Sequence, residues 1–196
     1  MAAAKIEQQS VLSVDIVNFS NRHIHDMFYI IEKFYDFMAE AIPDGRDEIH
    51  YRIWNPANDG GSLSFRDLED ALPTALRLLQ QIDRHNHEVD TPTQQIEVRI
   101  GLDFGPTFRR RDHDADTLRN WGHGMTIAQH ICDLAEPGEI LASRRYCEMI
   151  SLVDNNGRPQ SRQAMLDLPP IEVTPRGRWW LKHGYSIEIY NLKTPE

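Results

Sequence analysis

The order of strand and helix patterns along this chain predicts a ferredoxin-like α+β sandwich, an antiparallel sheet with helices packed on it. Three observations carry that expectation. Short apolar, β-branched runs recur at strand length, two longer segments place their apolar residues at helical spacing, and the two kinds follow the order β-α-β-β-α-β with additions toward the C-terminus. The 196 residues are 40% apolar and 26% charged, a composition that supports one full hydrophobic core. No repeat, low-complexity tract or long Pro/Gly/Ser linker divides the chain, so a single domain is expected over residues 1–196, with its core in about 11–192.

Residues 10–17 form an apolar run interrupted by one carboxylate and read as a buried strand. Asn18, Ser20 and Asn21 offer N-caps for a helix whose apolar face is Ile24, Met27, Phe28, Ile31, Phe34, Tyr35 and Met38, and Pro43-Asp44-Gly45 stops it. A hairpin follows, with arms at 48–54 and 61–65 and the turn at 55–60. The second helix places Leu68, Ala71, Leu72, Ala75, Leu76, Leu79 and Ile82 on one side. Residues 95–104 read as a strand, and Gly105-Pro106 as a turn into a partner strand holding Arg109, Arg110 and Arg111. A helix at 125–135 closes at Pro137-Gly138, followed by a strand at 140–142 and a short helix at 144–150. Residues 154–163 read as a polar loop, and strands at 179–182 and 185–192 end the pattern.

Twenty-one basic residues against thirty acidic ones give a net charge of −9, which repels a phosphate backbone and argues against a nucleic-acid partner. No apolar run reaches the roughly 20 residues needed to span a bilayer, and the first ten residues lack a signal peptide's apolar core, so a cytoplasmic protein without a membrane partner is expected. Two cysteines, Cys132 and Cys147, make neither a disulfide framework nor a thiolate zinc site. The pairs His23/His25 and His85/His87 lie on helices at a spacing that turns the side chains apart, which argues against zinc. Trp179 and Trp180 read as core or dimer-interface packing, and Met125, Ile127, Ile131 and Leu134 as helix packing.

Two carboxylates stand out. Asp15 ends the first strand, and Asp59 sits at the hairpin tip in Asn58-Asp59-Gly60-Gly61-Ser62-Leu63-Ser64-Phe65. Each alone has an ordinary reading, as a helix cap and as an Asp-Gly turn. In a ferredoxin-like sheet, however, the first strand and this hairpin are neighbours, and a carboxylate behind Val11, Leu12 and Val14 is costly without a counter-charge. Two convergent carboxylates suit a hard cation such as Mg²⁺ that keeps positions open for phosphate oxygens.

At this point the chain resembles the class III nucleotidyl cyclases. Asp15-Ile16-Val17-Asn18-Phe19-Ser20 is similar to the family's first metal-binding strand, the segment from Asn58 to Phe65 to its Gly-Asp-Gly hairpin, and Arg99-Ile100-Gly101-Leu102-Asp103-Phe104-Gly105 to its Arg-Ile-Gly-Ile-His-x-Gly strand. Residues 121–143 resemble its Gly-x-x-Val-Asn-x-Ala-x-Arg…Glu-Pro-Gly-Glu-Ile-Leu-x-Ser block without a gap, and Leu181-Lys182-His183-Gly184 its Leu-Lys-Gly. The resemblance implies that Asp15, the Ile16 carbonyl and Asp59 hold two divalent ions, Mg²⁺ or Mn²⁺, that carry a nucleoside triphosphate, and that two copies form a homodimer with active sites at the interface. A diguanylate cyclase is excluded, because its Gly-Gly-Asp/Glu-Glu-Phe hairpin is absent.

The pattern departs at several positions. Thr126 stands where the family has a ribose-orienting Asn, and His130 where it has a phosphate-binding Arg. Arg109, Arg110, Arg111 and Lys182 are candidate replacement cations. The base-reading position falls on Asn55 by ungapped counting or, since Pro56 alters the turn, on Tyr51; the second falls on Arg119. A bulky aromatic shortens the pocket and an arginine donates to carbonyls, which suits uracil. These departures are similar to those of the pyrimidine cyclases of bacterial Pycsar antiphage systems. The resemblance therefore implies a uridylate cyclase that makes cyclic UMP for a cyclic-nucleotide-responsive effector. A cytidylate cyclase, a purine-specific cyclase and a catalytically degenerate nucleotide-binding module are the alternatives.

Overall fold

Alternation along the first strand divides the whole sheet into two chemically different faces. The computed structural model describes residues 5–42, 52–57, 59–111, 118–160, 169–181 and 184–195, without the side chains of Arg52 and Ile53. In chain order the elements are β1 (Ile6–Ile16), α1 (Ile24–Ala41), β2 (Arg52–Ala57), β3 (Gly60–Phe65), α2 (Ala71–Glu88), β4 (Val98–Arg111), β5 (Leu118–Trp121), α3 (His123–Leu134), β6 (Ile140–Ser143), α4 (Arg144–Met149), β7 (Glu172–Trp180) and β8 (Ser186–Lys193). The strands form one sheet in the order β2-β3-β1-β4-β6-β8-β7, with β5 paired to β4. The first half, β2-β3-β1-β4 with α1 and α2, is the ferredoxin-like unit.

Leu12, Val14 and Ile16 of β1 join Leu63, Phe65, Ile100 and Leu102 beneath Ile30, Phe34 and Met38 of α1 and Leu72, Ala75, Leu78 and Ile82 of α2, all buried. These positions recur every three or four residues along each helix, which is why both helices form against this face. Their first turns are held by side chains: the His23 ring accepts from the His25 N–H at 3.4 Å, and the buried Tyr146 hydroxyl, distant in sequence, accepts from the Leu72 N–H at 3.0 Å. The opposite face carries Gln9, Val11, Ser13 and Asp15 of β1 with small or polar partners on β3 and β4. There α3 lies directly on β4, since a Cβ at Gly101 would stand 2.2 Å from the Ala128 carbonyl oxygen and 2.3 Å from the Cys132 nitrogen. Ile131, Ala135, Leu141 and Ile189 form a second, smaller core under this helix.

Several expectations are corrected. The sheet is mixed rather than antiparallel, because β4 and β6 run parallel across the α3 crossover. Gly105-Pro106 is not a turn: Pro106 pairs with Gln8 inside β4, which continues to Arg111 and meets a separate partner, β5. Residues 55–57 belong to β2, with Pro56 tolerated on an edge strand. The expected α1 cap by Asn18 to Asn21 is taken by His23, and those residues form a 3-10 turn instead. The final hairpin begins at Glu172, earlier than expected, and Trp179 and Trp180 lie 39% and 75% exposed, so they are not core of this chain. Both cysteines are free and buried. No helix among the described residues is long and apolar enough to cross a membrane.

Candidate active site

Asp15 lies at the end of β1, on the polar face, opposite Gly60 of β3 and Arg99 of β4. The hairpin tip is drawn onto β1 by two local features. A Cβ at Gly60 would stand 2.1 Å from the Val14 carbonyl oxygen, so only glycine lets β3 approach so closely. Beyond it, the Ile16 N–H donates to the Asp59 carbonyl oxygen at 2.7 Å. Asp15, Ile16 and Asp59 are therefore brought together by backbone pairing.

Arg99 completes this end of the site. Its Nη2 and Nε donate to the same oxygen, Asp15 Oδ2, at 2.6 and 2.7 Å. Burial pushes the Asp15 carboxyl above its ordinary value, the Arg99 hydrogen bond and charge pull it back, and Asp59 and Asp133 add to the upward push. Arg99 follows Val98 and precedes Ile100 in a buried run, and a cation there was the signal that a charge faced it across the strand pair.

Two residues before Asp15, the Ser13 hydroxyl lies 3.2 Å from Ser62 Oγ and donates to Gln129 Oε1 of α3 at 2.6 Å, which ties this helix to the end of β1. Thr126 and His130 lie one turn apart on α3; Thr126 is exposed and its hydroxyl donates to the Gly122 carbonyl at 3.3 Å, and His130 is half-buried. Asn55 of β2 bonds the main chain of Asn120 on β5, the residue next to Arg119. Arg109, Arg110 and Arg111 lie at the far end of β4. Arg109 is ten residues beyond Arg99, about 30 Å of strand, and its Nη2 pairs with Glu7 at 3.7 Å, so this trio stands away from the acid pair of its own chain. Tyr51 and Lys182 lie outside the described residues.

Among the described residues no three His, Cys, Asp or Glu side chains converge on a metal position. Asp15 and Asp59 with the Ile16 carbonyl would instead offer two carboxylates and a main-chain oxygen, a combination that suits a hard cation keeping places for water and substrate oxygens. Both Arg99 contacts fall on Oδ2 of Asp15, so Oδ1 is the carboxylate oxygen that would meet a cation.

No protein-family model matches the sequence, and no curated protein does. Solved structures match over nearly the whole chain. The guanylate cyclase domain of RhGC from Catenaria anguillulae, in complex with GTP, superposes with a TM-score of 0.73 at 18% identity, covering 98% of this chain and 100% of that one. The adenylyl cyclase CyaB from P. aeruginosa gives 0.72 at 14% identity, over 98% and 97%. A dimeric guanylyl cyclase domain of the RhoGC fusion protein from Blastocladiella emersonii gives 0.70 at 16%, over 98% and 100%. From its acid-bearing hairpin to its last strand, the chain has the fold of the class III adenylate and guanylate cyclase catalytic domains.

Proposed function

We propose that this protein is a nucleotidyl cyclase that converts a pyrimidine nucleoside triphosphate, UTP by preference, to its 3′,5′-cyclic monophosphate and pyrophosphate, as a homodimer with a site at each interface. The observation that carries the reading is the meeting of Asp15 and Asp59 through the Gly60 contact and the Ile16–Asp59 hydrogen bond, opposite Arg99. In the reaction the ribose 3′-hydroxyl gives up its proton to water, its oxygen bonds to the α-phosphorus in line, the bond from that phosphorus to the bridging oxygen breaks, and pyrophosphate leaves with the electron pair. Asp15, Asp59 and the Ile16 carbonyl would hold divalent Mg²⁺ or Mn²⁺, which when bound lowers the hydroxyl's pKa and neutralises the leaving group. Arg99 offsets part of the burial cost of the Asp15 carboxylate and adds positive charge where a triphosphate would lie. Thr126, His130 and Lys182 are assigned to the ribose and phosphates in the partner's site, and Arg119 with Tyr51 or Asn55 to the base. The alarm-signal role, in which the cyclic nucleotide activates an effector, belongs to the same reading. A neighbouring gene that encodes a cyclic-nucleotide-binding effector would support it.

The test is incubation with each of the four NTPs and Mn²⁺, followed by separation of the products. Cyclic UMP is expected as the main product. Asp59→Asn should lower turnover by at least about a hundredfold with an unchanged circular-dichroism melt, as loss of a transition-state charge contact does. ATP turned over fastest would overturn the pyrimidine assignment. Tight nucleotide binding without any product would mark a degenerate module, the reading that Thr126 and His130 favour.

A further inference from the structure

We infer that Asn55 is a positioning residue for substrate choice rather than a reader of the base: its amide locks β5 against β2 and thereby sets where Arg119 stands. The inference rests on the cyclase reading above and deepens it. Asn55 Nδ2 donates to the Asn120 carbonyl oxygen at 2.5 Å, and Asn55 Oδ1 accepts from the Asn120 N–H at 3.2 Å. One primary amide thus pairs with both the N–H and the C=O of a single residue, as a neighbouring strand would. Among the described residues the sheet itself supplies no such link, because β2 pairs with β3 and β5 with β4.

The Asn120 side chain fastens β5 from the inner side. It is 1% exposed and donates to Gln9 Oε1 of β1 at 2.7 Å and to Ser64 Oγ of β3, while the Thr107 hydroxyl of β4 donates to the same Gln9 oxygen at 2.6 Å. Asn120 Oδ1 remains buried with no hydrogen-bond partner among the described residues. Apolar side chains would fill such a layer without leaving an orphaned acceptor. Directional amides add defined distances between strands, which apolar packing does not. Along β5 the side chains alternate, so Arg119 projects to the side opposite Asn120 and moves with the same backbone. With both groups of its amide held by the main-chain N–H and C=O of Asn120, Asn55 governs Arg119 through the main chain. A displacement of about 1 Å is enough to alter recognition strongly.

The experiment compares wild type with Asn55→Ala and with Asn55→Asp, which keeps the acceptor for the Asn120 N–H but loses the donor to its carbonyl. Two quantities are read: hydrogen exchange at the Asn120 amide in the nucleotide-free protein, and the ratio of kcat/KM for UTP over ATP. Asn120 exchange should quicken at least tenfold in Asn55→Ala, and less in Asn55→Asp, with the UTP-to-ATP ratio falling at least tenfold in Asn55→Ala. Faster exchange with an unchanged ratio would overturn the inference, leaving the clasp merely structural. A changed ratio with unchanged exchange would also overturn it, since Asn55 would then read the base itself. If Asn55→Ala does not fold, the same two readouts on Asn55→Asp decide. Should the wild type convert no NTP, the proposed function fails separately, and UTP and ATP affinities by calorimetry replace the kinetic ratio. In that case an unchanged affinity ratio, or no nucleotide binding, overturns the inference.

Discussion

Asp103 is a carboxylate at 1% exposure, held by the Ser143 hydroxyl at 2.6 Å and by Arg145 Nη2 at 2.8 Å from the half-exposed side. Burial pushes its carboxyl upward, while the Arg145 charge and the hydrogen bonds pull it down only in part. The folded chain therefore holds this proton more tightly than the unfolded chain. The resulting stability is full below the ordinary value of 3.8 and is lost as pH rises through the raised one. Melting curves of wild type and Asp103→Asn across pH 3 to 7 should accordingly diverge, the variant gaining on the wild type as pH rises from the acid end. A constant gap would show that the carboxyl is not raised. At this scale the sequence exposed Asp15 and Asp59, because one is an acid in an apolar strand and the other stands in an Asp-Gly-Gly tip. Arg99, Gln129 and Asn120 were hidden, since their partners lie 84, 116 and 65 residues away and only strand register brings them together.

The elements that carry the site depend on close backbone approach. Gly101 is the clearest case, with α3 resting on its Cα. Gly101→Ala should move α3 outward and cost about 1–3 kcal/mol, measurable by denaturant unfolding, as inserting a methyl into a packed core does. Because Gln129 of α3 holds Ser13, the same change should weaken nucleotide binding. Helix existence was legible from apolar periodicity, and both long helices fell where it placed them. Boundaries were less so. Turn chemistry at Gly105-Pro106 suggested a break, but continuous pairing with β1 overrode it, and the glycine serves the approach of Gly124 and Arg145 instead.

For the whole molecule, ligand linkage gives a test that needs no turnover. A site that binds only the folded chain raises its stability by about 2.7 kcal/mol at a hundredfold excess over Kd. For a chain of this size that corresponds to a Tm shift of about 5–10 °C. Mn²⁺ with UTP should produce this shift in wild type, ATP a smaller one, and Asp15→Asn should abolish both. An equal shift in the variant would place the cation elsewhere. The β-α-β-β-α-β order was readable as a pattern, and the fold agrees with cyclase structures that share only 14–18% of its residues.

The two-sided sheet offers a reason why so little identity suffices. On β1, Leu12, Val14 and Ile16 face one way and Ser13 and Asp15 the other, so selection for folding and selection for chemistry act on different letters of a single word. Gln9, Val11 and Ser13 are buried as well, so the even-numbered positions from Leu12 to Ile16 close the apolar core while the odd-numbered ones set how β3, β4 and α3 meet the strand.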